Sequence, residues 1–162
     1  MAEAWSRYHL RIHSFLLRLC RQPELAEDLL QETFERLGRH GPQLPAETPL
    51  LPWLYTVSRN LYRSELRKRV GWLRRFPLLH GDFEPPAPTP WTQTVARDES
   101  RRLEAALLGL ADAYREALLL VCVDGMPPEQ AAKVLDIDPA TLRKRLSRGR
   151  AHLRTALGEE LP

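Results

Sequence analysis

Apolar positions in this chain recur at spacings of three and four rather than two, so the pattern predicts helices and no sustained strand. A first stripe of Tyr8, Ile12, Phe15, Leu16 and Leu19 ends near Gln22-Pro23. From about Pro23 a second stripe takes over with Ala26, Leu30, Phe34 and Leu37, and stops where helix breakers gather between Gly38 and Pro42. A proline-spaced loop from Gly41 to Pro52 leads to a third predicted helix, which begins at Trp53 and runs through Leu54, Val57, Leu61 and Leu66 towards Arg69. Such helices can bury their stripes only against each other. Roughly Trp5 to Leu73 therefore reads as a small helical bundle.

Between Pro77 and Pro90 stand five prolines, at 77, 85, 86, 88 and 90, with few helix formers, so this stretch reads as a semi-extended linker. In polyproline form it advances about 3.1 Å per residue and can span tens of ångströms. Beyond it Leu103, Ala106, Leu107 and Leu110 mark a fourth helix, and Tyr114, Ala117, Leu118 and Val121 a fifth that ends at Asp124-Gly125. The expected fold class is all-α: two small helical domains, residues 1–75 and 98–162, joined by a proline-rich linker over 76–97.

The last stretch, Met126 to Leu157, carries the strongest signal. Pro127 and Pro128 can open a helix because first-turn N–H groups are unpaired anyway, and Glu129 suits the positive end of its dipole. Ala131, Ala132, Val134 and Leu135 give it a small apolar face, which the three residues Asp136-Ile137-Asp138 interrupt. Asp138 before Pro139 is an N-cap followed by proline at the first helical position, so a second helix starts there. Its stripe of Leu142, Leu146, Gly149, Leu153 and Leu157 faces inward; its six Lys or Arg residues have no acid among them. Thr141, Lys144, Arg148 and Thr155 lie opposite the stripe, with the small Ala140, Ser147 and Ala151 between them. Small residues between basic ones let a helix enter a major groove, where long side chains reach phosphates or guanine edges. A solvated basic face is the alternative for this helix alone.

Charge divides the rest of the surface. The formal net charge is only +3, yet Arg59 to Arg75 holds seven basic residues against Glu65 alone, while Glu24 to Glu35 is acidic. Separate charged zones point to separate partners. On the second helix Asp28, Gln31, Glu32 and Glu35 fall at i, i+3, i+4 and i+7, one polar stripe that taken alone also fits a solvated face. On the third, Trp53, Tyr55 and Tyr62 are interleaved with Arg59, Asn60, Arg63, Arg67, Lys68 and Arg69. Positive charge with flat rings and an amide suits a strand whose bases have left the stack, although Trp53 at a helix start also fits a core anchor.

Cys20 and Cys122 stand in apolar helical runs without a CxxC or Cys/His cluster, and read as reduced core thiols of a cytoplasmic protein. The N-terminal dozen residues include Glu3, Arg7, His9 and Arg11 and show no apolar run fit for a signal peptide or membrane insertion. His9 and His13 are four apart but lack an evident third metal ligand. With no phosphate loop, nucleophile motif or acid-base carboxylate pair, the sequence predicts neither an enzyme nor a cofactor.

Four segments in order, Asp28 to Phe34 (DLLQETF), Trp53 to Asn60 (WLYTVSRN), Glu116 to Leu120 (EALLL) and Thr141 to Arg148 (TLRKRLSR), resemble the signatures of bacterial sigma factors of the extracytoplasmic-function (ECF) group. The resemblance covers nearly the whole chain outside the linker. It implies a sigma domain 2 whose acidic second helix docks on the clamp helices of the largest subunit of core RNA polymerase, with Asp28, Gln31, Glu32 and Phe34 at the docking motif. It places Trp53, Arg59, Asn60, Arg63 and Arg67 where the family melts and reads the minus-ten promoter DNA. It also implies a sigma domain 4 whose last helix enters the minus-thirty-five element, with Thr141, Arg143, Lys144, Arg145 and Arg148 at or near DNA. An anti-sigma factor is an expected further partner.

Three positions depart from the pattern: Ser64-Glu65 where the family usually has Asp after the Arg-Asn pair, Asp136 where glycine is usual, and Pro127-Pro128 in place of a Ser-aromatic entry. Two other functions compete with promoter selection. A sigma-like decoy that only binds an anti-sigma factor would need neither basic surface, and both are present. A stand-alone helix-turn-helix regulator would more often dimerise than carry an acidic docking stripe and a tethered second domain.

Overall fold

The computed structural model of the chain describes residues 2–75 and 98–158, with side chains described for 2–71 and 101–158. The proline-rich stretch read as a linker lies outside the described residues. The chain falls into two compact units, Met1–Ala87 and Pro88–Pro162.

The first unit holds α1 (Ala2–Cys20), α2 (Pro23–His40), a short 3-10 turn (Gly41–Gln43) and α3 (Leu50–Arg75), the three helices packing pairwise. Ile12, Phe15, Leu16 and Leu19 of α1 meet Ala26, Leu29, Leu30, Phe34 and Leu37 of α2 and Leu54, Tyr55 and Tyr62 of α3 in one buried core. Phe15 stands edge-on to Tyr55 with ring centroids 5.0 Å apart, and Trp5 meets Phe34 the same way at 4.8 Å. Two buried hydroxyls are satisfied within their own helices: Thr33 donates to the Leu29 carbonyl at 2.6 Å and Ser58 to that of Tyr55 at 3.1 Å.

Helix α3 begins at Leu50, three residues before the expected Trp53, and continues to Arg75. Pro52 does not stop it, because Pro52 sits in the first turn, where no intrahelical N–H bond is lost. Far along α3, Arg69 donates to the side-chain oxygen of Gln22 at 3.1 Å, and so ties this helix to the start of α2.

The second unit holds α4 (Asp98–Gly109), α5 (Asp112–Leu118) running into a π-helical turn (Leu119–Val123), α6 (Pro128–Leu135) and α7 (Pro139–Leu157). Helix α7 packs against α4, α5 and α6. The π turn, with Asp124 N–H bonded to the Leu119 carbonyl at 2.9 Å, departs from the 3.6-residue period. As a result Leu118, Leu119 and Leu120 are all buried in succession, while Val121, expected inward, is only half-buried. Leu103, also expected in the core, is 43% exposed.

Candidate nucleic-acid interface

The α6–α7 corner is built from local chemistry. Asp136 takes the left-handed conformation at φ 53°, ψ 50° and ends α6. Its N–H bonds to the Lys133 carbonyl at 3.1 Å and that of Ile137 to the Ala132 carbonyl at 3.0 Å, the paired bonds of a Schellman cap. Asp138 then caps α7 with Pro139 at the first helical position. Arg102 on α4 donates to the Leu157 carbonyl at 2.9 Å and closes the far end of α7.

Between these caps Leu142, Leu146 and Gly149 are buried, and Arg143, Lys144, Ser147, Arg148 and Ala151 are exposed. Of the five α7 residues singled out from the sequence, Arg143, Lys144 and Arg148 stand outward, Arg145 is half-buried, and Thr141 is half-buried with its hydroxyl bonded to Asp138. Gly149 marks the closest approach to α5: a Cβ there would lie 2.9 Å from Leu118 Cδ1 and 3.3 Å from Tyr114 Cβ. One turn on, His152 stacks over the Tyr114 ring at 5.4 Å.

On α3 the structure separates residues that the sequence grouped. Asn60, Arg63 and Arg67 are exposed and share one face. Arg59 is 3% exposed, because it lies on the same helical stripe as Tyr55 and Tyr62, both of them core residues. Of the interleaved rings, Tyr55 and Tyr62 are buried in the core and Trp53 is half-buried. Arg59 is inside the bundle, unlike the outward Asn60, Arg63 and Arg67.

On α2, Asp28 and Gln31 are exposed and Glu32 is partly so, whereas Phe34 is 3% exposed beneath the Trp5 ring and supports the surface from within. The acidic stripe is laced with cations: Arg36 donates to Glu32 at 2.8 Å, and Arg39 lies 3.3 Å from Glu32 and 3.8 Å from Glu35. Gln31 also bonds Glu35 at 2.9 Å. The Arg36 hydrogen bond, aided by the charge of Arg39, holds the Glu32 carboxyl below the usual carboxylate range. An open groove of about 790 Å³ runs between α2 and α3, with Asp28 and Glu32 on one wall and Asn60 and Arg67 on the other.

Some features lay outside the sequence reading. Arg115 is buried, donates to the carbonyls of Leu108 and Leu110 at 3.1 Å each, and pairs with Asp112, clamping the α4–α5 corner. Its position beside buried Glu116 in an apolar run was the only hint. Cys122, expected in the core, is exposed on the π turn, with Arg150 Nη2 3.5 Å from its sulfur; Cys20 is half-buried and donates to the Gln22 carbonyl. His9 stacks on Trp5 at 5.1 Å, with Nδ1 2.6 Å from the Trp5 carbonyl. Among the described residues no group of three or more His, Cys, Asp or Glu could hold a metal ion, and no helix is long and apolar enough to cross a membrane.

A three-helix bundle with opposed charged faces, and a second helical unit ending in a capped helix-turn-helix, describe a DNA-binding transcription protein. Residues 4–71 match the family model of sigma-70 region 2, and residues 100–153 that of sigma-70 region 4. The chain is 35% identical to the RNA polymerase sigma factor CarQ of Myxococcus xanthus, over 97% of this chain and 88% of CarQ. It is 30% identical to the ECF RNA polymerase sigma factor SigM of Bacillus subtilis, over 94% of this chain and 91% of SigM. In fold it is similar to the sigma factor RpoE of Bartonella quintana, solved in complex with the anti-sigma factor NepR, with a TM-score of 0.84 and 24% identity over 99% of this chain and 98% of that one. The chain belongs to the sigma-70 family of RNA polymerase sigma factors, in the ECF group. It directs core RNA polymerase to promoter DNA and is not an enzyme.

Proposed function

We propose a division of this activity among three faces. On α2, Asp28, Gln31 and Glu32 dock on the largest subunit of core polymerase, with Phe34 holding that face in place from beneath. On α3, Asn60, Arg63 and Arg67, flanked by Trp53, engage the opened minus-ten strand, and buried Arg59 acts through the bundle rather than by contact. On α7, Arg143, Lys144 and Arg148 contact the minus-thirty-five duplex, with Thr141 and Arg145 at the margin of that surface. The observation that carries this reading is α7 itself: a doubly capped helix with an acid-free, small-residue outer face and a buried inner stripe.

The domain assignment follows: residues 1–75 for polymerase and the minus-ten element, 98–162 for the minus-thirty-five element, and 76–97 as the tether. The cytoplasm is the compartment where such a factor meets polymerase. An anti-sigma factor is proposed as a third partner, supported by the likeness to RpoE, which was solved with NepR. Run-off transcription with core polymerase on a genomic promoter pool tests the reading. Start sites that arise only with the protein present, and that share two spaced elements, are the expected result. A pool transcribed identically with and without the protein would remove the proposal.

A further inference from the structure

The stripe that α3 turns to the core does not end where the core ends. Tyr55, Arg59 and Tyr62 are buried on it and Leu66 is half-buried, and the same spacing of three and four continues to Val70 and, in sequence, to Leu73. Support from α2 stops earlier. Arg69, bonded to Gln22 at 3.1 Å, still reaches the start of α2, but Val70 is 49% exposed and a Cβ on Gly71 would meet no described atom within 4 Å. Helix α3 itself runs on to Arg75, so about 9 Å of helix follows this last tie to the bundle. From Arg67 to Arg75 five of nine residues are Lys or Arg and none is acidic; the other four are Val70, Gly71, Trp72 and Leu73.

We infer that this end of α3 binds an anionic lipid surface, lying in the headgroup layer rather than crossing it. An apolar strip beside a patch of cations calls for an occupant that offers both apolar depth and negative charge. A second copy of the helix would set cation against cation, and a nucleic-acid backbone would satisfy the charges yet leave Val70 in water. A bilayer surface meets both needs, since Lys and Arg stay at the level of the phosphates while aliphatic groups and an indole enter the boundary with the acyl chains. The segment is far too short to span, which takes about 20 apolar residues. Each Lys or Arg adds an attraction to anionic headgroups that salt screens, and five of them stand in this stretch. Arg67 belongs both to this cluster and to the face proposed for the minus-ten strand, so lipid and strand compete for it; that consequence alone rests on the proposed face.

The test mixes the full chain with phosphatidylcholine vesicles, with and without phosphatidylglycerol, at physiological salt and reads the bound fraction by flotation. No DNA or polymerase is present, so the result stands apart from the minus-ten assignment. The chain is expected to float with the anionic vesicles and not with the neutral ones. Val70→Asn/Leu73→Asn keeps every charge and Arg74→Gln/Arg75→Gln keeps every apolar group, and each should weaken partition roughly tenfold. Leu10→Asn, at a residue 71% exposed on α1, should bind as the parent does. Partition that Val70→Asn/Leu73→Asn leaves unchanged would reduce the effect to charge adhesion and overturn the inference. An equal loss in Leu10→Asn, or no preference for phosphatidylglycerol, would do the same. A dimer of the free chain in analytical ultracentrifugation that Val70→Asn/Leu73→Asn dissociates would give the strip to a second copy and overturn it as well.

Discussion

Thr141 gives Asp138 two hydrogen bonds, from its N–H to Oδ1 at 2.8 Å and from its hydroxyl to Oδ2 at 2.5 Å. The start of α7 is fixed by this pair, and the hydroxyl proton of Thr141 is committed to the cap, leaving its oxygen to accept. The Thr141 hydroxyl first, then its N–H, hold the Asp138 carboxyl below its ordinary range. A carboxylate with a lowered folded-state pKa stabilises fully above its unfolded value, and that contribution fades as pH falls through the folded value. Asp138→Ala should lower the urea midpoint of unfolding at neutral pH, and the gap to the parent should close in acid. A gap that stays constant down to strongly acidic pH would count against the cap.

Asp136 occupies a left-handed conformation that glycine adopts without steric cost. Asp is among the better-tolerated residues there, and glycine loses more freedom on folding, so the two effects partly cancel. Asp136→Gly should stabilise the second unit by about 0.5 kcal/mol, and Asp136→Val should cost about 2 kcal/mol through its β-branched clash. Denaturant melts of both variants check the order: a Val variant as stable as the parent would contradict the backbone geometry.

Gly149 lets α7 lie close on α5. An alanine Cβ would press on Leu118 Cδ1, the movable end of a side chain, while alanine gains about 1 kcal/mol in helix propensity. Gly149→Ala should therefore be within about 1 kcal/mol of the parent, but Gly149→Val, which adds branched bulk against Tyr114 Cβ as well, should cost about 1–3 kcal/mol. Thermal unfolding distinguishes the two, and a neutral valine variant would show that α7 sits off α5.

The parts legible in the sequence were those fixed by neighbours along the chain. Pro23, Pro128 and the Asp138-Pro139 pair mark helix starts through their own backbone chemistry, and the structure starts α2, α6 and α7 there. Pro52 misled because proline is equally at home before a helix and inside its first turn. The stripe of Tyr55, Ser58, Arg59 and Tyr62 was present in the spacing, yet the charge of Arg59 suggested exposure, and only packing reveals a buried guanidinium. Cys122, Val121 and Leu103 misled because a π turn and the way α4 packs alter which positions face inward. The role of Arg115 depends on carbonyls of the preceding helix end, a relation no local pattern carries.

Asp28 and Glu32 differ in their local pairing, since Glu32 already holds Arg36 and Arg39. Asp28→Arg with Glu32→Arg reverses the charge of the face proposed to dock on the largest polymerase subunit, and losing charge complementarity across an interface weakens association strongly. Co-purification with core polymerase should fall by at least tenfold while the circular dichroism of the free chain is unchanged. Undiminished co-purification would remove the docking assignment.

Arg148 is exposed on the outer face of α7, one turn from Lys144. A single arginine contact to a base edge or phosphate is worth about 1–3 kcal/mol, so Arg148→Ala should weaken holoenzyme binding to the upstream promoter element about tenfold with the fold intact. The salt dependence tells which contact is lost. A phosphate contact reduces the slope of log K against log salt by about 1 and weakens all sequences alike, whereas a guanine contact relaxes preference at one position. Binding measured over a salt series on matched and single-substituted promoters separates these outcomes, and unchanged affinity on all of them would take Arg148 off the DNA.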